Sequence, residues 1–162
     1  MFDGLPISGG DMNVHGGEHV VFDFPGALEL ARRLWSLADG VDDSRVKRDA
    51  AAGVALRHWV GRYANDFRTS MTAEWTTEVN LAAAMRGDAQ LLAALWAQAM
   101  LEEAKVRYAD HVTTRKHKRS LLTQFHDAVF GSDENYGPEP GPFATPQPPA
   151  FEATGQLPVY DD

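Results

Sequence analysis

Apolar residues recur at helical spacing through the middle of the chain. Leu30, Leu34, Leu37 and Val41 fall four, three and four residues apart, which makes one seam of a helix, and Leu28, Ala31, Trp35 and Ala38 widen it. The pattern weakens through "DGVDDSRVKRD", where Gly40 can bend the helix, and resumes at Ala51, Val54 and Ala55. Farther on, one helical stretch carries two seams. Leu81, Met85, Leu92, Leu95 and Ala99 form one line, and Trp75, Val79, Ala82, Ala89, Ala93, Trp96 and Met100 form the other. A single partner helix cannot cover both, so this stretch is expected to meet neighbours on two sides. Leu121, Leu122, Phe125 and Val129 mark a further helix. It either continues from "MLEEAKVRYADHV" or is broken from it near Thr113-Thr114; the periodicity fits both.

Proline and glycine divide the chain into three. Residues 1–24 form a glycine-rich N-terminal arm with one extended candidate, "HVVFDF", at His19 to Phe24. Residues 25–131 contain no proline after Pro25 and are dominated by Ala, Leu, Arg and Glu. Pro25 suits the first turn of a helix, where its missing N–H costs nothing, and Asp23 stands where a cap is expected. Residues 132–162 hold seven of the nine prolines and predict a polyproline-like or disordered acidic tail. The fold class expected is all-α. An antiparallel helical hairpin spans about 25–100 and an additional C-terminal helix about 102–130, with extended N- and C-terminal arms on either side.

Charge sharpens the division. No Lys or Arg occurs from Ser120 onward, whereas the first 119 residues are nearly neutral, so the net charge of -8 belongs to the C-terminal third. An acidic tail disfavours nucleic acid and suits solubility or a basic partner. No run of apolar residues reaches the length of a membrane span. "MFDGLPISGG" lacks the basic start and apolar core of a Sec signal, so export would need another route; the protein is expected to be secreted through a non-Sec route or cytoplasmic. The chain has no cysteine, which removes thiol nucleophiles and disulfides.

Candidate chemistry is sparse. "HGGEH", His15 to His19, matches the His-x-x-Glu-His order of one zinc-peptidase class. That chemistry needs a helix, and Gly16-Gly17 costs a helix about 2 kcal/mol against alanine. We read a polar loop and no metal site. "TTRKHKRS", Thr113 to Ser120, is the one basic cluster. It is short, has no interleaved aromatic and precedes an acidic tail, so it reads as a solvated helix face or a landing site for that tail. His58 and the pair His126-Asp127 lack any serine elbow or phosphate loop to serve. The sequence predicts no catalytic residue, no cofactor and no enzyme.

One stretch remains, "ALRHWVGRYANDF", Ala55 to Phe67. Gly61 permits φ > 0 and would close the first helix, putting Trp59 at the tip of a hairpin with Phe67 about two turns along. Here the sequence resembles the WXG family of small helical hairpins linked to type VII (ESX-type) secretion. The resemblance lies in Trp59-Val60-Gly61 at mid-hairpin, Phe67 at the family's aromatic position, "FDFPGALELARRLWSLAD" before and "NLAAAMRGDAQLLAALWAQAM" after; it covers roughly Val20 to Met100. It implies a non-enzymatic protein–protein interaction protein, secreted or secretion-associated, that pairs with a protein partner as a homo- or hetero-oligomer. Trp59, Gly61 and Phe67 would be its motif residues, and Trp75, Trp96 and Met100 its partner surface. The family's Tyr-x-x-x-Asp/Glu export signal is absent, since Tyr108 is followed four on by Val112 and Tyr136 by Pro140, so a partner would have to carry it. The alternative is a structural, assembly or adaptor protein of a cytoplasmic or phage-like particle, whose extended arms contact neighbouring subunits.

Overall fold

The computed structural model describes residues 18–118 and 136–160. Two helices dominate it, α1 (Phe24–Ala55) and α2 (Arg62–Lys118), and they pack against each other as an antiparallel hairpin. No strand is present among the described residues.

The start of α1 follows from its local sequence. The Asp23 carboxylate accepts the Gly26 N–H at 3.0 Å, with Pro25 in the first turn. A side chain at residue 26 would collide with that carboxylate, so glycine keeps the cap open. The helix ends at Ala55, where Leu56 N–H still bonds the Ala52 carbonyl. Gly61 then stands at φ +100°, and its carbonyl accepts the first helical bond of α2 from Asn65 N–H at 3.1 Å. The left-handed glycine foreseen at this corner is therefore present, but it opens the second helix instead of closing the first.

The helices differ greatly in length, 32 residues against 57. Cross-helix pairs such as Arg86 with Asp42 and Arg48 with Glu78 set the register, and in that register α2 outruns the start of α1. The overhang is the region expected to hold a separate helix from residue 102. Instead α2 runs unbroken through Thr113-Thr114 to Lys118. Nothing in that stretch breaks a helix, and two other segments cover it. The N-terminal segment lays the Val20 N–H on Glu103 at 3.0 Å, and the C-terminal segment stacks Tyr160 on His111. Leu121, Leu122, Phe125 and Val129 lie outside the described residues.

The core is built on the smaller seam of each helix. Leu28, Ala31 and Ala38 of α1 meet Ala82, Ala89, Ala93, Trp96, Ala97 and Met100 of α2. Alanines let the backbones approach closely, and the tryptophans fill the space that remains. The leucine seam of α1 is displaced to the flank, with Leu37 57 % exposed. At about 100° per residue it lies roughly a quarter-turn from the buried line. The Leu81–Met85–Leu92–Leu95–Ala99 line on α2 is offset by a similar angle in the same rotational sense. In an antiparallel pair, equal offsets fall on one side, so both leucine lines share a flank of the hairpin.

The tail from 136 to 160 forms neither helix nor strand, in keeping with its prolines, but it is not disordered. Phe151 is fully buried in the hairpin core, and Pro146 is also among the largest fully buried side chains. A proline-rich segment lacks backbone donors for a ladder; this one is ordered by its aromatic side chains instead.

Candidate functional site

At the tip of the hairpin the turn after α1 brings Trp59 back against the first turns of α2. Its ring lies 5.5 Å from that of Phe67, tilted by 43°. Trp59 remains 41 % exposed, and Val60 and Tyr63 beside it are more exposed still. Among the motif residues, Trp59, Gly61 and Phe67 therefore form one local cluster. Its members were legible as a group because all three sit within nine residues of a helical corner. Val60 entered only as the middle residue of the Trp-x-Gly step and Tyr63 was not singled out, because neither carries a periodic or motif signal of its own.

Trp75 lies eight residues beyond Phe67, about 12 Å along α2. The Arg45 guanidinium sits 4.1 Å above its ring. Between the end of α1 and the start of α2 is an open groove of about 340 Å3, lined by Ala52, Gly53, Leu56, Met71, Trp75 and polar side chains. Next to it, hydrophobic packing gives way to charge. Arg86 bonds Asp39 and Asp42, each at 2.7 Å, Arg45 bonds Asp42 at 2.8 Å, and Arg48 bonds Glu78. Hydrogen bonds from Arg86, then Arg45, hold the Asp42 carboxyl below its ordinary range. The half of the hairpin nearest the tip is thus joined by ion pairs, and the other half by an apolar core.

Trp96 and Met100 belong to that apolar half. Trp96 is 2 % exposed, edge-on to Phe143 of the tail with centroids 6.5 Å apart, and Met100 is buried beside it. The line Trp75–Trp96–Met100 is consequently not one surface: Trp75 faces the groove, while Trp96 and Met100 lie in the core. Their burial removes the free surface that a partner would touch. The reason is that the chain supplies its own cover, two phenylalanines spaced through a proline-rich stretch, a signal present in the sequence but absorbed into the reading of a disordered tail.

At the far end, Glu103 gathers three donors. His19 Nδ1 lies 3.1 Å away, Val20 N–H 3.0 Å and Arg107 Nε 2.8 Å. Burial works to raise its pKa, but these donors outweigh it and hold the carboxyl below the usual value. His19 of "HGGEH" is thus engaged with Glu103, with Asp110 at 3.7 Å from its other nitrogen; His15 lies outside the described residues. Of the basic cluster, Lys116 Nζ sits 5.7 Å from the Tyr136 ring, so the tail does touch down there. Exposed His58 lies in the turn before Trp59, and His126-Asp127 lies outside the described residues. No helix among the described residues is long and apolar enough to cross a membrane. No protein family, no curated protein and no solved structure matches the chain.

Proposed function

We propose that the protein is a non-enzymatic protein–protein interaction protein: a WXG-type helical hairpin, secreted or secretion-associated, that presents its tip to a protein partner. The observation carrying this reading is the exposed aromatic tip. Trp59 is held in place by Phe67 and yet open to solvent, with Val60 and Tyr63 beside it. A tryptophan that only filled a corner would be buried; tryptophan and tyrosine at a rigid, half-exposed site are the side chains that most often anchor a partner. The uncovered leucine flank supports an oligomer, homomeric or heteromeric, since Leu30, Leu37, Leu81 and Leu95 stay exposed with the tail in place.

The test separates folding from recognition. Trp59→Ala removes one half of an aromatic pair, a loss of about 1 kcal/mol at a half-exposed position. Its circular-dichroism melt should stay close to that of the parent, while its amount in the culture filtrate of the native host falls at least tenfold. Undiminished export of a folded Trp59→Ala chain would remove the functional reading of the motif. The second reading, an assembly protein with extended arms, is favoured by one observation: the tail docks in an ordered way on a helical body through Phe151.

A further inference from the structure

Residues 18–23 form a strap, neither helix nor strand, that leads into α1 alongside α2. Two kinds of contact attach it. Phe22 packs on the edge of the core beside Phe24, their rings 5.0 Å apart. Ahead of them the His19 ring and the Val20 N–H both reach Glu103, at 3.1 and 3.0 Å. The histidine contact engages both ring nitrogens. Nδ1 faces Glu103, and Nε2 lies 3.7 Å from Asp110 Oδ2. Glu103 and Asp110 are separated by about two helical turns, so both carboxylates rise on one face of α2 and the ring spans them.

This geometry selects one form of the ring. A neutral imidazole carries one N–H and one lone pair, so in either tautomer a lone pair confronts a carboxylate. An imidazolium donates at both nitrogens and suits both acids. Charge leads to the same form. The Arg107 guanidinium shares the corner, with its Nε donating to Glu103 at 2.8 Å. Set against Glu103 and Asp110 it leaves one negative charge over, which a protonated His19 neutralises. Burial opposes ionisation of Glu103, but its donors outweigh it and hold the carboxyl below its ordinary range, so Glu103 keeps its charge where histidine titrates. From the tail, Tyr160 lines the same pocket as His19; burial, then Tyr108, pushes its hydroxyl up and keeps it neutral. His111 of α2 is stacked on the Tyr160 ring with centroids 4.5 Å apart, so its charge bears on the tail. Glu18, the neighbour of His19 in the strap, is exposed.

We propose that His19 is a pH-sensitive clasp: protonated, it pins the strap across Glu103 and Asp110, and on losing its proton it loosens residues 18–22 from α2 while the hairpin stays folded. The strap is held in acid and loosened as pH rises through the interval in which a histidine changes charge, about pH 5 to 8. The effect is local and modest, because the His19 side chain is 65 % exposed and its ion pairs are screened by water. The clasp lies at the opposite end of the hairpin from Trp59 and does not depend on it.

The experiment follows solvent exchange of the Val20 amide by NMR in the full-length chain. Each rate is divided into that of an unstructured peptide at the same pH, which removes base catalysis of exchange. Between about pH 5.5 and about pH 8 the protection of Val20 should fall about threefold in the parent. In His19→Gln it should stay level, because glutamine has no proton to lose there. In Asp110→Asn the fall should shrink, because the second acid is gone. Both side chains are substantially exposed, so neither substitution threatens α2. Equal protection at the two pH values in the parent overturns the proposal. So does a fall of the same size in His19→Gln, which retains His111, and so does an undiminished fall in Asp110→Asn.

Discussion

Gly61 stands at φ +100° with no neighbouring atom within 4 Å of where a Cβ would be. Its constraint is therefore conformational and not steric. Gly61→Ala should destabilise the hairpin by about 1 kcal/mol, read as a lowered thermal midpoint with an unchanged helical spectrum. An unaltered midpoint would mean the turn relaxes to another conformation. Glu103 is constrained by charge. Its pKa in the folded chain is held below the ordinary 4.5, so the ionised form stabilises the fold. That contribution is fully present above the unfolded value and is lost as pH falls through the lower folded one. The thermal midpoint of the parent should drop more steeply on acidification below pH 4.5 than that of Glu103→Gln, which has no carboxylate there to titrate. Parallel curves would show that Arg107, Val20 and His19 do not favour the carboxylate. The glycine was legible in the sequence because a Trp-x-Gly step interrupts two helical periods, although spacing cannot tell which helix owns it. The Glu103 cluster was not legible. Its partners His19 and Val20 lie more than 80 residues away, and no local pattern announces such a pairing.

The two helices show how an amphipathic pattern can be read correctly as helix and wrongly as face. Both seams on α2 were visible; α1 packs on one of them, and Leu81 and Leu95 of the other remain exposed. What periodicity could not rank was which seam meets the partner helix. Leucine counts for more than alanine in any hydrophobicity sum, yet the alanine line wins, because close backbone approach seats Trp35 and Trp96 between the helices. Substitutions should separate the two lines. Trp96→Ala opens a cavity in the core and should cost about 3–5 kcal/mol. Leu37→Glu alters an exposed position and should change stability of the isolated hairpin by no more than about 0.5 kcal/mol. Chemical denaturation of both variants is the measurement, and the reverse order of costs would place the leucine line in the core. The continuation of α2 to Lys118 illustrates the same limit: no breaker marks Thr113-Thr114, so helix is expected there, but whether one helix or two depends on what packs alongside.

Across the whole molecule, the balance of covered and uncovered surface decides how the chain behaves in solution. The tail and the N-terminal segment cover the half of the hairpin that carries the apolar core and the overhang of α2. They leave the leucine flank open: Leu30 and Leu37 on α1 and Leu81 and Leu95 on α2 all remain exposed, with Leu30 nearly level with Leu95 in the register set by Arg86–Asp42 and Arg48–Glu78. Soluble monomers rarely leave so continuous an apolar strip to water, whereas scattered exposed leucines need no explanation. The strip lies across both helices, which suits another helical pair laid alongside it. Under the proposed function it is the face through which hairpins associate. Light scattering at tens of micromolar should give twice the chain mass or more for the parent. The double variant Leu37→Glu, Leu95→Glu should give the monomer mass with an intact helical spectrum, because a carboxylate buried against a second apolar strip is left unpaired. A parent that scatters as a monomer across this range would remove the flank as an interface and leave its leucines as ordinary surface.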